Sequence, residues 1–188
     1  TVNDSFVNVN EQKVSGVDMN LRWDQDFSYG QLVVEMQSTW YDENVQQLFD
    51  PSLVSGFDTT DYVGTVGSPD FLTNLRASFT KNDWTFNWYL QYVSATSDDP
   101  VFYDERDSYF GWTDAVYDYS MDAAFYHNIS VFYQTEKWDF LVGINNLFDE
   151  EPDTYSTGGR SRRGNVPVSA TQYDLLGRSL FTRVNFRF

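Results

Sequence analysis

Few side chains in this chain of 188 residues could do chemistry, and cysteine is absent. His127 is the only histidine, in a segment where it alternates onto the same face as Ile129 and Val131. A metal site would need partners at fitting positions, and there is neither a thiolate nor a second imidazole. The residue therefore reads as structural or interfacial. Ser-His-Asp catalysis would have one possible base and no Gly-x-Ser-x-Gly elbow. No enzyme activity is expected, and no cofactor or resident metal. Acids cluster at Asp98-Asp99, Asp104-Glu105-Asp107 and Asp149-Glu150-Glu151. None has the spacing of a calcium loop, so they read as solvated loop faces. Arg160, Arg162 and Arg163 could grip an anionic group through forked donors; neutralising nearby acids explains them equally well. Tyr103, Tyr109 and Trp112 could stack on sugar rings or an aromatic chelator, and packing of the loop on itself accounts for the same residues.

The elements that would carry these groups are strands. From Ser179, Leu180, Thr182, Val184, Phe186 and Phe188 alternate with Phe181, Arg183, Asn185 and Arg187, the period-two pattern of a β-strand. The same pattern runs through Val14–Trp23, with Val17, Met19, Leu21 and Trp23 opposite Asp18, Asn20 and Arg22. A turn over Asp24–Gly30 leads into 31–41, where Leu32, Val34, Met36 and Trp40 oppose Glu35, Gln37 and Thr39. The pairs 71–80 with 84–93, and about 121–134 with 138–145, repeat it. Short turns (Lys81-Asn82-Asp83, Thr135-Glu136-Lys137) join the strands of each pair. Long loops (42–70, 94–119, 146–171) join one pair to the next.

Aromatic residues make up 19% of the chain, yet the mean hydropathy is -0.50. No apolar run approaches the roughly 20 residues of a membrane helix. A transmembrane β-barrel combines these features: strands of about 9–11 residues, half apolar, with short turns on one side and long loops on the other. The net charge of -16 excludes nucleic acid, whose phosphates need a basic surface. The chain therefore reads as all-β, an antiparallel barrel wall of seven strands. Asp18, Arg22, Glu35, Arg76, Asp139, Arg183 and Arg187 face a wetted lumen, where charges are tolerated that a dry core would not accept. An odd strand count leaves open edges that lipid cannot satisfy. Either Thr1–Asn10 supplies an eighth strand, or the chain is the C-terminal part of a larger barrel.

Two segments favour the second. Val142-Gly143-Ile144-Asn145-Asn146-Leu147-Phe148-Asp149, followed by Glu150-Glu151-Pro152, resembles the VGxxNLFDxxP segment near the end of TonB-dependent outer-membrane receptors. Tyr173-Asp174-Leu175-Leu176-Gly177-Arg178, with the strand ending at Phe188, is similar to their YDxxGR terminus. Val14-Ser15-Gly16-Val17-Asp18 is a weaker third match. The resemblance covers nearly the whole chain, 1–188. It departs from the family at Arg183, where assembly signals often carry glycine.

What the resemblance implies is the last seven strands of a 22-stranded barrel, its lumen plugged by an N-terminal domain on sequence absent here. The seven charged lumen residues would form the wall against which that plug seats. Phe186 and Phe188 would belong to the C-terminal signal read by the barrel-assembly machinery. Outer-membrane lipid and lipopolysaccharide would surround the wall; bridging of lipopolysaccharide phosphates by divalent cations is a secondary reading of the acidic loops, behind that of solvated faces. TonB would act through the absent N-terminal part, drawing on the inner-membrane proton gradient to import a scarce ligand. With acidic, aromatic loops, an oligosaccharide is favoured over a ferric siderophore. The competing reading is a self-contained eight-stranded outer-membrane barrel with a structural or adhesive role. A soluble β-sandwich that binds a ligand ranks below it.

Overall fold

A computed structural model describes residues 11–47, 59–98, 120–155, 166–167 and 173–188. Among them there is no helix, and twelve strands account for the regular structure. In chain order these are β1 (Glu11–Phe27), β2 (Gly30–Gln47), β3 (Thr60–Asp61), β4 (Phe71–Lys81), β5 (Trp84–Val93) and β6 (Thr96–Ser97). They continue with β7 (Ser120–Met121), β8 (Ala124–Gln134), β9 (Trp138–Asn145), β10 (Thr154–Tyr155), β11 (Val166–Pro167) and β12 (Ser179–Phe186). Seven long strands form one antiparallel sheet in the order β1-β2-β4-β5-β8-β9-β12, with β3 on the upper part of β2. Each long strand pairs with the next in sequence, so the sheet is a meander. Among the described residues β1 and β12 are its two edges, and no closed barrel is formed.

The turns explain the register. Ser28 and Tyr29 close the first hairpin, and Phe27 pairs with Gly30. Asn82 and Asp83 close the second, with Asn82 in the left-handed conformation (φ 52°) that asparagine tolerates better than most residues. At the third, the Thr135 hydroxyl donates to the Trp138 carbonyl at 3.0 Å and accepts from its amide at 2.8 Å. Gly143 gives Phe181, its register partner on β12, room to lie across β9; a methyl group there would overlap that ring.

Strand boundaries over 71–93 and 138–145 lie within a residue of those read from alternation. The first hairpin departs from that reading. The expected turn at Asp24–Gly30 shrinks to two residues, and β2 runs on to Gln47 through what reads as acidic loop. A bulge between Ser15 and Gly16 re-aims this extension. Ser15 and Lys13 then reach Glu43, at 3.1 and 2.6 Å. Pairing with β1 holds polar residues in a strand that their composition does not announce. The long loop 94–119 likewise begins with β6, paired to β7. Thr1–Asn10, the candidate eighth strand, lies outside the described residues.

The register assigns every side chain to a face. On one lie Val17, Met19, Leu21, Val34, Met36, Leu75, Ile129, Val131, Val142 and Val184; on the other lie mostly amides, hydroxyls and charges, with Val33, Phe132, Leu141 and Phe181 among them. The apolar face is open: Val17, Leu21, Val142 and Val184 are each half-exposed or more. Its extent follows from strand geometry. Seven strands about 4.8 Å apart, over eight residues of about 3.4 Å rise, span on the order of 800 Å². That exceeds the roughly 300–600 Å² of the largest apolar patch on a typical soluble monomer.

Buried apolar residues collect elsewhere. Val93, Met121, Ala124, Tyr126 and Tyr173 form a small core with Val66 and Leu72, at the long-loop end of the polar face. Connecting segments are tied over it. Ser97 donates its amide to the Gly64 carbonyl at 2.8 Å, and the Val66 amide donates to Asp98 at 2.8 Å. Tyr173 reaches Thr96 with hydroxyl oxygens 3.5 Å apart.

Candidate functional site: a polar wall and its rim

The polar face is built in rows, because antiparallel register sets one residue of each strand beside one of the next. One row reads Arg22, Glu35, Arg76, Tyr89. Its neighbour reads Asn20, Gln37, Asn74, Gln91. Within the first row the Arg22 guanidinium bonds Glu35, and it also donates to both oxygens of Asp24, at 2.8 and 2.9 Å. Arg76 approaches the other Glu35 oxygen at 4.0 Å. Two cations thus share one carboxylate across three strands, with Asp24 as a second anion. Tyr89 donates its hydroxyl to Asn74. These side chains border a concavity of about 410 Å³.

Of the seven charged residues expected on one wall, all seven share this face. Asp18 accepts from the Thr39 hydroxyl at 2.6 Å. One Arg187 nitrogen donates to both oxygens of the largely buried Asp139, at 2.7 and 2.6 Å. Arg183 has no ion-pair partner among the described residues. Asp24, which reads as turn in the sequence, belongs to the Arg22 cluster instead. Its place two residues after Arg22 in a continuing alternation was the available signal. Tyr103, Tyr109, Trp112, Arg160, Arg162 and Arg163 lie outside the described residues.

Two pairs of polar groups on the apolar face bond to each other. Ser38, 5% exposed, and Thr73 join hydroxyls at 2.6 Å. The Trp88 indole N–H donates to His127 Nδ1 at 3.1 Å, and Phe148 meets the imidazole edge-on at 5.0 Å. His127 therefore sits among rings with Ile129 and Val131. Among the described residues no three His, Asp or Glu side chains gather as a metal site would need.

Rings band this face at two levels. Phe71 and Phe79, Trp84 and Tyr92, and Phe125 and Tyr133 each lie eight residues apart along adjacent strands. At the loop end Phe71, Tyr92 and Phe125 follow one another at 6.0 and 4.8 Å. At the turn end Trp84 meets Tyr133 at 4.4 Å and Tyr133 meets Phe140 at 6.4 Å. Trp138 meets Phe186 at 4.5 Å, and Phe186 meets Phe188 at 5.2 Å. Phe186 and Phe188 thus close the lower band.

Two segments distant in sequence meet at the rim. Asn146, 1% exposed and left-handed (φ 49°), exchanges two 2.8 Å side-chain bonds with the Glu150 backbone. Its own amide donates to Asn128 at 2.7 Å. Asp149, also left-handed (φ 61°), accepts from the Arg178 amide at 2.7 Å and faces its guanidinium at 3.7 Å. Gly177 (φ 70°) lies beside that carboxylate. Four residues earlier, Tyr173 enters the rim core, and burial raises its phenol pKa above the ordinary value. Comparisons with family models, with curated proteins and with solved structures found no match.

Proposed function

We propose that this chain is part of the wall of an outer-membrane β-barrel, the C-terminal portion of a TonB-dependent active transporter. The observation that carries the membrane reading is the pair of aromatic bands eight residues apart, bounding an open apolar face. Eight residues rise about 27 Å along a strand, and a tilt of roughly 35–45° brings that to about 20 Å of height. An outward apolar band about 25 Å tall, flanked by aromatic girdles, is the pattern of membrane barrels. The private pairing of Ser38 with Thr73 and of Trp88 with His127 supports it, since lipid offers polar atoms no partner. The opposite face then lines a wetted lumen, where Arg22, Glu35 and Arg76 can exchange partners with a plug.

Support for the transporter reading comes from the resemblance of the 142–152 and 173–188 segments, whose residues meet through Asp149 and Arg178. Ligand enters among the long loops, and TonB drives its release inward at the expense of the proton gradient.

Brominated lipids test the first reading. In vesicles of the protein carrying this segment, bromine deep in the acyl chains should quench Trp88 more than Trp84 or Trp138. Uniform quenching of the three would remove the membrane placement. Uptake measured with and without an uncoupler tests the second: import that persists without the proton gradient would exclude TonB coupling. Alanine at Tyr103, Tyr109 and Trp112 together should lower ligand affinity if the loops do the recognising.

A further inference from the structure

Strand β12 is bonded to β9 along one side, and among the described residues its other side is an open edge. We infer that this edge takes an antiparallel strand from the rest of the same barrel wall, one that sets a carboxylate beside Arg183, an inference that rests on the membrane-wall reading and names its partner. Every second residue of an edge strand points its N–H and C=O away from the sheet, and lipid offers those groups nothing to bond. Leu180 and Val184, 75% and 54% exposed, carry the apolar face out to that edge. A strand of the same alternation would continue both faces, apolar beside Leu180 and Val184 and polar beside Arg183.

Direction sets β1, the other edge of the sheet, aside. The six pairings that lead from β1 to β12 are all antiparallel, so β1 and β12 run the same way. Meeting in one chain, or between copies standing side by side, they would form a parallel pair, which is slightly weaker. Two copies joined β12 to β12 would be antiparallel, but with their long-loop ends on opposite sides of the bilayer.

Arg183 says what the partner strand carries. The other arginines expected on this wall approach acids across strands. Arg22 and Arg76 both face Glu35, their register partner on β2, and Arg187 holds Asp139 on β9. Across from Arg183 on β9 stands Leu141, with Phe132 beyond it on β8. Asp139, diagonal to Arg183, already accepts from Arg187. Every segment outside the described residues joins the sheet at its long-loop end, while Arg183 lies in the turn-end half of β12. The β9 flank of this exposed guanidinium therefore offers no free acid, and its open flank is the strand edge. A cation that donates in a fork and keeps its charge is matched there by a carboxylate.

The experiment takes the full-length protein in detergent micelles, with Arg183→Lys and a water-soluble carbodiimide, which joins an amine to a carboxylate in contact with it. Peptide mass spectrometry should find position 183 joined to one Asp or Glu in a strand beyond this segment, on the polar face of that strand. The wild-type guanidinium should give no such product. Joining to Asp24 or Asp26 of β1, to Asp139, or to a domain inside the lumen overturns the inference, and so does no joining at all. Should Arg183→Lys not assemble, a benzophenone side chain at Thr182 replaces it, with Arg183 intact. Photocapture of a strand with an acid on its polar face supports the partner, and capture of anything else overturns it. Bromine quenching of Trp88 in the same protein separates the two levels. Deep quenching without the expected cross-link loses only the partner strand; uniform quenching loses the membrane reading as well.

Discussion

The seven-stranded wall and the rim at its long-loop end solve the same problem in opposite ways. The wall gathers its large apolar side chains on one face, where Leu21, Ile129, Val142 and Val184 meet no covering layer among the described residues. The rim turns Val93, Met121, Ala124, Tyr126 and Tyr173 toward one another and buries them to within a few per cent. A sheet face must be covered by something. For the rim the cover is the chain itself, and for the wall, on the reading proposed above, it is lipid. The wall's stability should therefore depend on the bilayer, and the rim's should not.

The sharpest way to break this contrast is a charge at mid-height on the apolar face. Ile129 stands midway between Phe125 and Tyr133, so Ile129→Arg should cost about 2–4 kcal/mol in vesicles. Ser130→Arg, one residue on and facing the other way, should stay within about 0.5 kcal/mol. Urea unfolding in lipid vesicles measures both, and equal losses would end the two-faced account.

The rim comes next. Asn146→Ala removes both bonds to the Glu150 backbone and strains a left-handed residue. It should cost about 1–3 kcal/mol, and by the same amount in thick and thin bilayers; a cost that varied with bilayer thickness would tie the rim to the membrane.

On the polar face the Arg22–Glu35–Arg76 row is partly exposed. Glu35→Gln should cost under about 1 kcal/mol, less in high salt. A larger, salt-independent loss would mean that something covers this row in the assembled protein.

The smallest effect belongs to Lys13 and Glu43, which lie beyond the bulge at the long-loop end of the first hairpin. The hydrogen bond from Lys13 lowers the Glu43 pKa below its ordinary 4.5. A lowered acid contributes stability above its unfolded pKa and loses it as pH falls through the folded one. Unfolding near and below pH 4.5 should thus show a slight pH dependence that Lys13→Met removes.

Much of this molecule was legible from alternation. The side chains at 17–23, 31–40, 71–93, 128–134, 138–145 and 179–186 fall on the faces their period assigns. A side chain's face is a local property of an extended backbone. All seven charged residues expected on one wall share it for the same reason. Local pattern failed where pairing outweighed composition. Asp42, Glu43 and Asn44 read as loop and became strand because β1 was there to pair with.

The sequence by itself determined the seven long strands, apart from the extension of β2 past Tyr41, and which side chains share a face, since these follow from period two along one strand. Only the tertiary structure decided that Asp149 meets Arg178, that Tyr173 covers Val93, and that Leu141 stands across from Arg183. Those contacts join residues far apart in the chain, and their partners are set by which strands lie side by side, which no local pattern encodes.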